Sequence, residues 1–139
     1  MNKLFVDTGA WYALTDRRDP DHAAVAAAMR EHRDRLLTSN FVLGETLTLV
    51  RYRLGWTVAQ RLGEQLRNGA LARLERISPR DEDAAWTIFS NYSDKSFSFT
   101  DCTSFALCNR LDLPMCIAID NDFRSFGLHC IPLAQALRR

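Results

Sequence analysis

The run Met115-Cys116-Ile117-Ala118-Ile119-Asp120 is an unbroken apolar stretch that closes on an acid. It is too short for a helix and does not alternate, so it reads as a strand buried on both faces. Lys3-Leu4-Phe5-Val6-Asp7 repeats the pattern at the other end of the chain. Two such strands, separated by helix-like segments, point to a parallel sheet covered on both faces. In such sheets ligands bind beyond the carboxyl ends of the strands. Asp7 and Asp120 stand at those ends.

The segments between follow the same alternation. An Ala-rich helix is expected from about Pro20 to Arg35, with Asp19 as N-cap and Pro20 in the first helical position. Leu36 to Thr38 forms a very short strand. Asn40 caps a helix that runs to Leu54, where Gly55 stops it. Thr57 caps another, ending near Asn68-Gly69. Leu71 to Ile77 reads as a strand, and Pro79-Arg80-Asp81 opens a helix that carries Ala84, Ala85, Ile88 and Phe89 at helical spacing. Thr100 caps a helix from Asp101 to about Asn109. Leu128 to Ile131 is a last short strand, and a final helix starts at Leu133.

The 139 residues fit a single domain, 1–139, that can bury a real core, and 47% hydrophobic with 25% charged residues is an ordinary globular composition. No apolar stretch approaches the roughly 18 residues of a membrane span. Asp7 cuts the N-terminal apolar run too early for a signal peptide, so a cytoplasmic protein is expected. A net charge of +1 excludes a polycation that holds nucleic acid by bulk field. Nucleic-acid contact would have to be local. Arg51, Arg53, Arg61, Arg67, Arg73, Arg76 and Arg80 are either such contacts or solvated helix faces. Cys102, Cys108, Cys116 and Cys130 form no CxxC pair and have no clustered histidines beside them, so they read as small core residues and not as a zinc site. Trp11, Tyr12, Trp56 and Trp86 can stack on bases or meet a partner, with core packing the better reading for Trp86.

Four acids stand next to apolar sequence, where a carboxylate is costly unless it is paired, hydrogen-bonded or bound to a cation. Asp7 and Asp120 end apolar strands. Asp101 opens Asp101-Cys102-Thr103-Ser104-Phe105-Ala106-Leu107, at a helix start where the dipole favours negative charge. Glu45 lies within Phe41-Val42-Leu43-Gly44-Glu45-Thr46-Leu47, on a helix whose expected core stripe is Leu43, Leu47, Val50 and Leu54. Phe41, Val42, Leu49 and Tyr52 surround Glu45 on the other side. A helix apolar nearly all round is either deeply buried or an interface. Its lone Glu calls for a cation or for a partner such as Arg51 or Arg53.

Two carboxylates about 4 Å apart repel by about 4 kcal/mol at an effective dielectric near 20. A hard divalent ion, Mg²⁺ or Mn²⁺, removes that conflict and suits all-oxygen ligands. Such an ion activates water and stabilises phosphoryl charge, so phosphodiester hydrolysis is the natural reaction. Other chemistries fit less well. His22 and His32 lie on a polar helix and His129 in a terminal strand, leaving no pair for metal-free acid–base cleavage. There is no GxxxxGK[ST] loop and no GxSxG elbow. Asp7-Thr8-Gly9 lacks the second Asp of haloacid-dehalogenase-like phosphatases.

Val6-Asp7-Thr8-Gly9-Ala10-Trp11, Asn40-Phe41-Val42-Leu43-Gly44-Glu45, Ser98-Phe99-Thr100-Asp101-Cys102 and Ala118-Ile119-Asp120-Asn121-Asp122-Phe123 with Gly127 follow one another along almost the whole chain. In that order they resemble the motifs of PIN-domain proteins, and of the VapC toxin group in particular. The resemblance implies a three-layer α/β/α sandwich around a parallel sheet of about five strands. It also implies a Mg²⁺- or Mn²⁺-dependent endoribonuclease. Asp7 and Asp101 match the positions most directly tied to the metal, Glu45 the second acidic position, and Asp120 the fourth, with Asp122 as its rival. Thr8 and Thr100 match hydroxyl positions that orient ligands or substrate. A homodimer and a VapB-type antitoxin partner are implied as well. A non-catalytic interaction module and a DNA-directed nuclease stand as alternatives.

Overall fold

The computed structural model describes residues 2–133 and residue 137. Its centre is a five-stranded, wholly parallel sheet in the order β3-β2-β1-β4-β5. The strands are β1 (Leu4–Val6), β2 (Leu36–Ser39), β3 (Arg73–Glu75), β4 (Met115–Ile117) and β5 (His129–Ile131). Among the described residues, seven α-helices flank and connect them: α1 (Thr8–Thr15), α2 (His22–Glu31), α3 (Asn40–Leu54), α4 (Trp56–Arg67), α5 (Pro79–Asn91), α6 (Phe99–Arg110) and α7 (Asp122–Phe126). The α/β class and the five parallel strands are as expected.

The chain first builds outward from β1 through β2 to β3, then returns to lay β4 and β5 on the other side of β1. The direction of winding therefore reverses between β1 and β4. Elements leaving two such strands diverge, and a crevice opens at their carboxyl ends. The Asp7 amide closes the two strands there by donating to the Ile117 carbonyl at 3.1 Å.

β1 is buried along its whole length, as the apolar pattern requires. Phe5 stacks on Phe123 of α7, which meets Phe105 of α6 edge-on at 4.9 Å between ring centres. Trp11 is fully buried and donates from Nε1 to Thr38 Oγ1, while that hydroxyl donates to the Val6 carbonyl at 2.9 Å. These bonds tie α1, β1 and β2 together directly behind Asp7. All four cysteines are free and buried, in keeping with core residues; Cys116 and Cys130, in register on β4 and β5, bring their sulfurs to 3.2 Å.

Several boundaries differ from the sequence expectation. Helix α1 was not anticipated, because its eight residues are apolar nearly throughout and carry no polar face. The short α7 was missed too. Helix α2 starts at His22, not Pro20, with Asp21 in the N-cap position, and ends at Glu31; the Asp19 carboxylate accepts from the Asp21 amide inside the turn. Ser39 caps α3, accepting from Val42 N, and Asn40 instead accepts from Ile77 N to fix the exit of β3. Gly55, with φ +96°, replaces Thr57 at the start of α4. Ser98, not Thr100, caps α6. The strands expected at 71–77 and 115–119 shrink to 73–75 and 115–117. A helix from Leu133 lies outside the described residues. Trp86, expected in the core, is 60% exposed and stacks on Phe89.

Candidate active site

Asp7 follows the last residue of β1 and holds the N-cap position of α1 in extended backbone, but its side chain caps nothing. The Ala10 and Trp11 amides bond to its backbone carbonyl instead, leaving the carboxylate aimed away from the helix ladder. The residue is 3% exposed. Among the described residues Oδ1 has no hydrogen-bond partner, and neither do the buried hydroxyls of Thr8 and Thr46. An unsatisfied buried acceptor costs about 1–3 kcal/mol, more when charged, so such an atom marks a place built for a ligand.

Asp101 is held differently. Ser98 Oγ accepts from the Asp101 amide, and Asp101 Oδ2 accepts from the Ser98 amide, each at 3.0 Å. This reciprocal capping box fixes the carboxyl at the first turn of α6, where the helix dipole supports its charge. The Ser-x-x-Asp spacing was readable, although the sequence reading placed the cap at Thr100. Thr100 presents its carbonyl to the hydroxyls of Thr103 and Ser104.

Asp120 follows β4 in the exposed loop, and its Oδ1 accepts from the Asp122 amide at 3.1 Å. Asp122 is half-buried at the start of α7. Arg124 donates to the carbonyls of Asp120 and Pro132, and its charge partly offsets the crowding at the Asp120 carboxyl. Gly9, Ile119, Asp120 and Asn121 line a cavity of about 270 Å³ beside it.

Glu45 contradicts one expectation. It is exposed, and the fully buried stripe of α3 is Val42, Thr46 and Val50; of the expected stripe Val50 lies in the core, while Leu43 and Leu54 pack against it half-buried. The outer face of this helix is bare, so Glu45 stands in water and needs no cation or arginine to be tolerated. Only Asp7 and Asp101 are truly buried among the acids singled out; Glu45 and Asp120 lie at the surface.

The electrostatics nevertheless join them. Burial, first, and then the charges of Asp101, Asp120 and Glu45 push the Asp7 carboxyl well above the usual carboxylate range, against the Thr8 amide that bonds to it. Asp101 is raised to about 6, mainly by burial, with Asp120 and Asp122 adding to it and the Ser98 hydrogen bonds opposing. Asp120 is raised as well: its carboxyl has lost hydration although the residue is exposed, and Asp122 and Glu45 add to this. Asp101, Asp120 and Glu45 therefore act on Asp7, and Asp122 acts on Asp101 and Asp120. Asp120 and Asp122 both act on Asp101.

Among the described residues no three of these side chains close into a tight coordination cluster. The donor set still fits Mg²⁺ or Mn²⁺. It is all oxygen, it is self-repelling when ionised, and Asp7 Oδ1 is unpartnered. Mg²⁺ keeps several waters and needs only one or two carboxylates from the protein.

A family model described as the PIN domain matches residues 4–127. The chain is 32% identical over 124 residues to the 23S rRNA-specific endonuclease VapC20 of Mycobacterium tuberculosis, covering 89% of this chain and 94% of that protein. It is 27% identical over 117 residues to the ribonuclease VapC26 of the same organism, covering 84% and 86%. The crystal structure of VapC20, titled a Sarcin-Ricin loop cleaving toxin, superposes with a TM-score of 0.86 at 31% identity, over 91% of this chain and 96% of that one. FitAcB from Neisseria gonorrhoeae shares the fold, with a TM-score of 0.67 at 16% identity over 91% and 95% of the two chains.

Proposed function

This chain belongs to the PIN-domain family, and we propose that it is a divalent-metal-dependent endoribonuclease, the toxin of a VapBC-type pair, working at the crevice between β1 and β4. The observation that carries this reading is the buried Asp7 carboxylate at the topological switch point, whose Oδ1 has no partner and whose pKa is raised first by burial and then by Asp101, Asp120 and Glu45. Acids that raise one another's pKa in a crevice are the usual mark of a working site.

Asp7 and Asp101 would hold Mg²⁺ or Mn²⁺ from within, and Glu45, Asp120 and Asp122 from the rim. The ion, when bound, supplies charge neutralisation, activation of water and stabilisation of phosphoryl charge. The protein's part is positioning. Ser98 locks Asp101, and the Thr38–Val6–Trp11 bonds lock the strand end that carries Asp7. The Thr8 hydroxyl, buried and without a partner, orients ligand or substrate, and Thr100 does so from the first turn of α6. Exposure of Glu45 and Asp120 leaves the rim open to a polymer. Water adds in line to phosphorus and the 3′ oxygen departs, leaving a 5′-phosphate and a 3′-hydroxyl.

Similarity to VapC20 favours structured ribosomal RNA as substrate. The family reading also brings a homodimer, a VapB-type antitoxin and action in the cytoplasm; among the described residues no helix is long and apolar enough to cross a membrane. The test is cleavage of a sarcin–ricin stem-loop RNA by purified protein with Mg²⁺ or Mn²⁺, with end mapping. Wild type should cut, and Asp7→Asn, Asp101→Asn or excess chelator should each suppress cutting by about a hundredfold or more. Equal cutting by the variants, or in chelator, overturns the assignment.

A further inference from the structure

The elbow between α3 and α4 reads Arg51-Tyr52-Arg53-Leu54-Gly55-Trp56. Tyr52 is 89% and Trp56 60% exposed, and both arginines are exposed beside them. Among the described residues Arg51 is in no ion pair, and Arg53 lies over the Tyr12 ring at 5.2 Å. A concave surface of about 800 Å³ is lined by Glu45, Thr48, Leu49, Arg51 and Tyr52. It therefore starts at an acid of the candidate site and runs along α3 to the elbow. Glu45 and Tyr52 are two helical turns apart on one face, about 10.5 Å at about 1.5 Å per residue. That is the length of about three stacked nucleotides at about 3.4 Å each.

We propose that this surface is a second RNA-contact site, which takes the nucleotides flanking the scissile bond. Tyr52 stacks on a base, and Arg51 pairs with a backbone phosphate. The proposal rests on the ribonuclease reading. Two features favour RNA as the occupant. The Tyr52 ring beside the Arg51 guanidinium matches a base face and a phosphate, the two chemistries a nucleic-acid strand presents. The concavity is also continuous with the place where a phosphodiester would be cut.

The experiment is fluorescence polarisation with a labelled single-stranded RNA oligonucleotide in chelator, so that binding is read without cleavage. Cleavage by wild type with Mn²⁺ is followed in parallel. Tyr52→Ala should weaken binding about tenfold, and Tyr52→Phe should restore it. Arg51→Gln should lower the slope of log affinity against log salt by about 0.7. Both positions are exposed, so melting temperatures should match wild type. If wild type cleaves and binds RNA while these variants bind equally well, the elbow site is wrong and the nuclease reading stands. If wild type neither binds nor cleaves any RNA, both fall. Conversion of a dimer to a monomer by Tyr52→Ala in sedimentation, with RNA affinity unchanged, assigns the face to a second copy and overturns the proposal.

Discussion

Asp7 pays for its place in the fold. Its carboxyl is buried, crowded by Asp101, Asp120 and Glu45, and has an oxygen without a partner. A carboxyl whose folded pKa is raised stabilises the fold below its unfolded pKa, and that contribution is lost as pH rises through the folded pKa. Asp101, raised to about 6, acts in the same direction. Metal-free protein should therefore melt lower at pH 8 than at pH 5. Asp7→Asn should raise the pH 8 stability in chelator by on the order of 1 kcal/mol while abolishing cleavage. Calorimetry of both proteins across that range checks it, and a less stable Asp7→Asn at pH 8 contradicts the crowding. This cost was legible at Asp7 and Asp101, where an acid abuts an unbroken apolar run. It was misread at Glu45, since apolar neighbours in sequence do not say which face of α3 the fold covers.

Helices α5 and α6 form the most extensive helix pair, and a bidentate ion pair joins them. Arg110 donates from Nε to Asp81 Oδ1 at 2.8 Å and from Nη2 to Oδ2 at 3.0 Å. Burial alone would raise the Asp81 pKa, but Arg110 and the Ser78 amide outweigh it and hold the carboxyl below its ordinary value. A depressed pKa gives stability present above the unfolded value, near 3.9, and lost as pH falls through the folded one. Arg110→Ala should cost about 1–2 kcal/mol at pH 7, discounted because the guanidinium is partly exposed. The difference from wild type should shrink below about pH 4, which urea unfolding at pH 7 and pH 3 will show. At this scale the sequence located the helices with polar faces and turn residues. It missed α1, whose environment hides its period, and it shifted the caps of α2, α3, α4 and α6 by one or two residues, because several capping residues stand side by side there.

The whole molecule brings acids from four separate elements to one field by reversing its winding between β1 and β4. If a divalent ion binds there and not to the unfolded chain, free metal at about a hundredfold its dissociation constant should add about 2.7 kcal/mol of stability. Thermal melts with and without Mn²⁺ test this: wild type should shift upward and Asp7→Asn should not. An equal shift in both would place the ion elsewhere. The sequence by itself determined the parallel α/β class, the end of β1 before Asp7 and the place of Asp101 at the start of a helix, while Asp120 lies three residues past the end of β4. Apolar runs and helix starts are local, and burying a charge is costly wherever the chain goes. Only the tertiary structure decided that Glu45 faces water, that Asp120 and Asp122 both act on Asp101, and that Tyr52 and Arg51 line one surface with Glu45. Those facts depend on which side of each helix is covered, and neighbours distant in the chain set that.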